Sequence, residues 1–398
     1  MDTSLLPITS GLFEKALEEA LNPRWQSLEA AVEAIRKAKH IDRPPSYLPW
    51  LVYEYGLGPL TPYVPNVYQL IDEGVRWQRV RGTAKAYRMG LGWIGYSADI
   101  EEAWHGRNWW NSYQLRFPDL PAQDSPDLER IEGISILSGP LRSDLRRGVH
   151  QYDVGPLIAD YCRLDDSMLE RESGIAVTPA GTLWSFGRTT EIRHMLTEAE
   201  GLAIGNWLEP VDTGSSAWMP ISLPDAGFGV GTVPDLSMDP GLPWVEAHYL
   251  WNDADILWSS IGTSARSATM AAWFVGRSMF LTFRDAGGQV IGHRRCRAVR
   301  PVIERYSGLY SFAGSSYQPT STGTALYVEA MTDFGDAADV VASSVELNVG
   351  GDLADGIPPG RLWLASDDLS GGAAIAVSPV SIPLRTTVRE CVKFLVRF

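Results

Sequence analysis

The sequence predicts an α+β multidomain protein: a small N-terminal helical domain followed by one or two mainly-β, sandwich-like domains. Three observations lead there. The chain has 398 residues, more than the ~250 to 300 that one hydrophobic core usually supports. Apolar residues recur at spacings of three and four over the first hundred positions, between clear helix starts and stops. Beyond about Arg107, Gly, Pro, Ser and Asp break the chain roughly every eight to twelve residues, around short β-branched and aromatic runs. Boundaries are expected after residues 106 and 235, giving segments 1–106, 107–235 and 236–398.

Phe13, Leu17 and Leu21 share one helical face, and Trp25, Leu28, Val32 and Ile35 continue it after Asn22-Pro23. Asparagine followed by proline is an N-cap signature, so two helices are predicted, split at Asn22. Ser46 is placed to cap a short helix with Pro49 in its first turn and Leu48, Leu51, Val52 and Tyr55 on its inner side, ended by Gly56, Gly58 and Pro59. Asn66 opens another helix with Val67, Ile71 and Val75 in line. Gly82-Thr83 resets the chain for a last one carrying Ala84, Tyr87 and Leu91. Strands are expected at Ile134 to Leu137, Ser278 to Phe283, Ala325 to Ala330, Val340 to Val349 and Val392 to Phe398, with the Pro- and Gly-rich stretch Val211 to Pro243 as an internal boundary.

The net charge of −14 is uneven: residues 1–120 hold 13 basic and 14 acidic side chains, leaving the acidity to the remainder. An acidic body repels phosphate and anionic lipid, which argues against nucleic acid or a membrane surface as partner. The acidic N-terminal stretch is unlike a signal peptide, and no run of about 18 apolar residues occurs, so neither export nor membrane insertion is expected.

Metal, cofactor and nucleophile signatures are weak. Cys162, Cys296 and Cys391 are widely spaced and odd in number. His40, His105, His150, His194, His248 and His293 form no local HxH or HExxH pair. Gly90-Leu91-Gly92-Trp93-Ile94-Gly95 has phosphate-loop spacing but follows a helix rather than a strand, so it reads as a helix end. Gly227 to Gly231 reads as a turn. Glu101-Glu102, Asp165-Asp166 and Asp367-Asp368 are adjacent acids that point in different directions, and Asp352 to Gly356 lacks the closing glutamate of a calcium loop. No cofactor, metal or catalytic residue is assigned, and enzymatic activity is not expected. Arg81, Lys85 and Arg88 form a basic stripe, Arg142, Arg146 and Arg147 a second cluster, and Trp104, Trp109, Trp110 and Tyr113 the densest aromatic patch.

Leu6-Pro7, Pro44-Pro45, Leu48-Pro49-Trp50-Leu51, Glu54, Arg76, Arg79, Arg81-Gly82-Thr83, Ala86, Leu91-Gly92 and Gly95-Tyr96 occur in an order that resembles the tail protein I family of contractile-tailed bacteriophages. The likeness covers about the first 100 to 110 residues, with Val52-Tyr53 and the loop Gly58 to Pro65 as departures. It implies a non-enzymatic subunit of the baseplate wedge, located in the virion tail, assembled in the host cytoplasm, and paired with a larger J-type wedge protein, other baseplate subunits and tail fibres. The interface residues it suggests are Leu48, Trp50, Leu51, Trp77, Arg81, Gly82, Thr83, Lys85 and Arg88. The segment Leu137 to Arg188 also resembles large variants of such proteins, as a strand-and-turn element of an attached β domain. The remaining acidic, Trp-containing chain leaves two alternatives open, a glycan- or receptor-binding tail-tip module and an envelope-polysaccharide hydrolase.

Overall fold

The computed structural model describes residues 6–102, 111–154, 172–205, 265–320, 323–358 and 360–398, with the side chains of residues 22–27, 40 and 265–269 left out. The expected boundaries after 106 and 235, the stretch Val211 to Pro243, Gly227 to Gly231, Asp165-Asp166 and the tryptophans at 104, 109 and 110 lie outside the described residues.

The chain divides into two units. The first comprises residues 1–98 and 129–144. Its helices are α1 (Leu12–His40), α2 (Leu48–Glu54), α3 (Val67–Val80) and α4 (Ala84–Trp93), joined by most of α5 (Asp127–Ser138). The two helices expected on either side of Asn22 are one, because α1 runs through Asn22-Pro23 unbroken. An interior proline removes one N–H bond to residue i−4, and the Ala-, Glu- and Lys-rich turns on both sides favour helix.

Asn66 caps α3 as its sequence predicts, its side chain accepting from the backbone N–H of Tyr68 at 3.0 Å and of Gln69 at 3.3 Å. The buried face of α3 is Leu70, Ile71, Gly74 and Trp77 rather than the expected line through Val67 and Val75. The α2 helix starts one residue later than expected, with Tyr47 at the cap and Pro49 in the first turn, and buries Leu48 and Leu51. Gly95, at φ +83°, ends α4 after Trp93, so the glycine run is a helix terminus.

The run Ile134 to Leu137, expected as a strand, lies in α5. Leu128, Ile131 and Ile134 are fully buried at helical spacing, and this longer period outweighs the β preference of two isoleucines.

The second unit, residues 99–128 and 145–398, is mainly β. Its described strands are β1 (Asp99–Glu102), β2 (Ser112–Arg116), β3 (Asp144–His150), β4 (Ile175–Ala176), β5 (Leu183–Met195), β6 (Met279–Arg284), β7 (Val290–Arg295), β8 (Ala298–Arg305), β9 (Tyr310–Phe312), β10 (Ser315–Pro319), β11 (Ala325–Met331), β12 (Val341–Val349), β13 (Asp352–Leu353), β14 (Trp363–Leu364), β15 (Leu369–Ser370), β16 (Ala373–Pro383) and β17 (Val388–Arg397). Two helices, α6 (Glu198–Ala203) and α7 (Ala265–Phe274), accompany them. The expected strands at 278–283, 325–330, 340–349 and 392–398 appear as β6, β11, β12 and β17.

The larger sheet has the order β1-β2-β3-β5-β17-β11-β8-β10-β9, with β4 alongside β5; the smaller has the order β14-β7-β6-β12-β16. β17 pairs in parallel with β5 and antiparallel with β11, so strands from either side of residue 235 share one sheet. Between the sheets, Val392, Phe394 and Val396 of β17 and Leu326, Val328 and Ala330 of β11 meet Leu281 and Phe283 of β6 and Val345 and Leu347 of β12. Each such large side chain contributes about 1.5 to 3 kcal/mol by leaving water. Alternation sends Leu395 and Tyr327 to the opposite face, where they form a second small core with Val302, Phe312 and Tyr317.

Candidate functional site

The structure sorts the suggested interface residues of the helical unit into four groups. Leu48, Leu51 and Trp77 are buried within the unit itself. Trp50, at 68% exposed, and Tyr53, at 83%, stand three residues apart on the outer side of α2. Lys85 and Arg88 are exposed on α4.

Arg81, Gly82 and Thr83 form a junction. The last carbonyls of a helix lack intrahelical partners, and those of α5 are met here: Arg81 Nε donates to the Leu137 carbonyl at 2.7 Å, and Gly82 N–H to the Ser138 carbonyl at 2.9 Å. Gly82 sits at φ +82°, a backbone conformation that favours glycine. Thr83 is the N-cap residue of α4, with its hydroxyl turned back to donate to the Val80 carbonyl at 2.7 Å. The Arg81 guanidinium stacks 5.5 Å from the Trp77 ring centroid, and Trp77 Nε1 donates to Ser138 Oγ at 3.2 Å. The short motif thus locks α3, α4 and α5 together. Sequence reasoning identified the junction but not the helix end that it caps, because α5 arrives from more than forty residues downstream.

The largest feature that sequence reasoning undervalued is the surface of α1. Phe13 is 79% exposed, Leu17 50%, Leu21 49%, Leu28 57%, Val32 70% and Ile35 67%. Their spacings of 4, 4, 7, 4 and 3 keep them within one face of about 100°. No described side chain of α1 is buried. The helix meets the rest of its unit near its C-terminal end, where Lys39 pairs with Glu54 and lies 5.7 Å over the Tyr55 ring. Just beyond it, Arg43 pairs with Asp72 and its carbonyl accepts from the Tyr68 hydroxyl at 3.1 Å. At ~1.5 Å per residue, the remaining turns carry their apolar stripe, exposed among the described residues, for roughly 30 Å.

The other sequence candidates resolve into structural roles. Arg147 is buried in the β unit, bonded to Asp153 Oδ1 at 2.9 Å and Ser173 Oγ at 3.0 Å, while Arg146 pairs with Glu172 at 3.0 Å; the second basic cluster is therefore no continuous surface patch. Of the acidic pairs, Glu101 faces Arg116 at 2.5 Å and Asp368 accepts from the Ala365 N–H at 2.8 Å. Tyr113 is buried. Burial pushes the Cys296 and Cys391 thiols up to about 12, which keeps them protonated and poor nucleophiles near neutral pH. Among the described residues, no three His, Cys, Asp or Glu side chains gather as a metal set, and no helix is long and apolar enough to cross a membrane.

Residues 6–123 match the family described as phage tail protein (Tail_P2_I). No curated protein matches the chain. The match spans the helical segment with its capped Arg81-Gly82-Thr83 junction and exposed α1 stripe, and it points to a structural role in a phage tail. Over residues 6–123, the chain is thus similar to the phage tail protein I-like family.

Proposed function

We propose that this protein is a subunit of the baseplate wedge of a contractile phage tail, and that α1 joins it to a larger J-type wedge protein. The observation that carries the reading is the α1 stripe. Six large apolar side chains on one exposed helical face are unfavourable in water and match what a helical bundle buries. Burying each would contribute about 1.5 to 3 kcal/mol before the entropy of association is counted. Trp50 and Tyr53 add amphipathic anchors of the type that dominates protein interfaces. Leu48, Leu51 and Trp77 act from inside by holding α2 and α3 in place, and Arg81, Gly82 and Thr83 by fixing α4 against α5. Lys85 and Arg88 offer exposed positive charge to an acidic neighbour.

The function is assembly rather than chemistry: apolar ridges are completed by another subunit, and the acidic β unit is carried into the particle. Its place is the tail of the virion, reached after assembly in the host cytoplasm, with other baseplate subunits and tail fibres as further contacts. The expected domain limits of 1–106, 107–235 and 236–398 are retained as a proposal for how these roles divide along the chain.

Co-expression with the J-type protein, followed by size exclusion, tests this. The expected result is one complex that is lost when Leu17 and Leu28 are replaced by Glu. Separate migration of the two wild-type proteins at micromolar concentration would overturn the reading.

A further inference from the structure

Opposite the main core, the larger sheet of the β unit carries a groove that the wedge reading does not use. We propose that this groove binds an acidic saccharide through its carboxylate. The cavity measures about 230 Å³ and runs across β5, β17 and β11. Its polar lining includes Tyr152, Arg188, Arg297, Glu329, Arg389 and Lys393. The placement follows from strand alternation: Val392, Phe394 and Val396 fill the core, so Arg389 and Lys393 line the other face of β17.

Four cations and one carboxylate line this cavity in a chain of net charge −14. Two of the cations are neutralised at close range. Arg188 binds both oxygens of Glu390, at 2.8 and 2.6 Å. Arg297 Nε donates to Glu329 Oε1 at 2.6 Å, and the Tyr327 hydroxyl takes the other oxygen at 2.5 Å, so Glu329 has its partners.

The other two differ. Arg389 donates through Nε to the Thr332 carbonyl at 2.8 Å and through Nη1 to the Tyr152 hydroxyl, but its nearest carboxylate, Asp333, is 3.6 Å from Nη2. Lys393 donates to the Ser311 carbonyl at 3.2 Å, with Glu191 3.9 Å away. Among the described residues, neither has a carboxylate within hydrogen-bond distance, although their side chains are only 13% and 19% exposed. Two partly desolvated cations with donors to spare favour an anion between them.

The shape selects the kind of anion. At four residues apart on one strand, the Arg389 and Lys393 backbones are roughly 13 Å apart, longer than a bare inorganic ion needs. Gln151 and Thr189 offer neutral hydrogen-bonding groups to hydroxyls, and the Tyr152 ring, packed 4.6 Å under the Arg389 guanidinium, holds that cation in place. A small concave site suits a compact ligand, whereas a protein partner buries a broad, flatter patch.

The test titrates the full chain with D-glucuronate and N-acetylneuraminate, with D-glucose and inorganic phosphate as comparison probes, by isothermal calorimetry and saturation-transfer NMR. Saturable binding of at least one acidic sugar is expected, with none for glucose. Lys393→Gln and Arg389→Gln, each checked for an unchanged circular dichroism spectrum and melting temperature, should weaken it at least about tenfold. The proposal falls if neither acidic sugar binds saturably, if phosphate alone binds, if glucose binds equally well, or if both folded variants bind as the wild type does. None of these outcomes depends on a J-type partner, so the result is separable from that of the wedge experiment.

Discussion

A methyl group added at Gly90 would stand 2.7 Å from Ile134 Cγ1 and 2.9 Å from Ser138 Oγ, inside the distance that packed atoms tolerate. Gly90 is therefore what lets α4 approach α5, and a helix-interior glycine, normally a cost of about 1 kcal/mol against alanine, is kept for packing. Gly90→Ala should destabilise the helical unit by about 1 to 3 kcal/mol through overpacking, read as a lower melting temperature with the helical circular dichroism signal retained at low temperature. In the β unit, Glu200 is the residue to titrate. Burial opposes its charge, but bonds from His194, the Thr197 and Ala376 N–H groups and the Thr197 hydroxyl outweigh that and hold its carboxyl below the ordinary value of 4.5. A depressed folded-state pKa means that this contribution is present above about pH 4.5 and is lost as the pH falls through the folded-state value. Glu200→Gln should accordingly lower stability by about 1 kcal/mol at pH 7, the scale of a capping interaction. The gap from wild type should close towards pH 3, checked by denaturation across that range.

At the scale of the element, α1 and α5 show opposite relations between pattern and environment. The α1 stripe is regular in sequence and stays exposed among the described residues, so its helicity draws on Ala, Leu, Glu and Lys propensity and on exposed pairs such as Lys37 with Glu33 at 3.0 Å. Leu17→Glu combined with Leu28→Glu should leave the melting temperature of the isolated chain within the small range typical of surface changes, roughly 0.5 kcal/mol per site. A large loss of stability measured by calorimetry would mean that the stripe is already buried within the protein. The α5 helix has a weaker pattern, and what defines it is its fit: Ile134 against Gly90, Ser138 against Trp77, and its last carbonyls against Arg81 and Gly82. The Arg81 bond to a carbonyl is charge-assisted, a class worth about 1.5 to 3 kcal/mol.

At the scale of the whole molecule, the two units are interleaved along the chain. The helical unit draws its last helix from residues 129–144, after the chain has contributed 99–128 to the β unit. A fragment ending at residue 98 would lack α5 and expose the inner faces of α3 and α4. It should melt without a cooperative transition, whereas a fragment ending at residue 144 should show one, as read by circular dichroism at 222 nm. The β unit closes similarly late: β17, at the end of the chain, pairs with β5 in parallel over ten residues, from Val388 with Phe186 to Arg397 with Met195. Such non-local pairing is entropically costly to form before the rest of the sheet exists, so this unit should be the slower to fold.

The sequence alone determined what depends on neighbours a few residues away. Asn66 as a cap, Gly82 at a turn, Gly95 as a helix end, and the strands around 279, 325, 341 and 392 follow from local backbone preference and from periods of 3.6 and 2. So does the α1 stripe, whose exposure, however, only the structure revealed. Tertiary structure decided what depends on distant partners: that Ile134 to Leu137 is helical, that Asn22-Pro23 does not divide α1, that β5 lies beside β17, and that Arg389 and Lys393 face a common cavity. The physical reason is that a periodic pattern specifies which face of an element must leave water, whereas strand order, helix crossings and grooves are set by which other face happens to cover it.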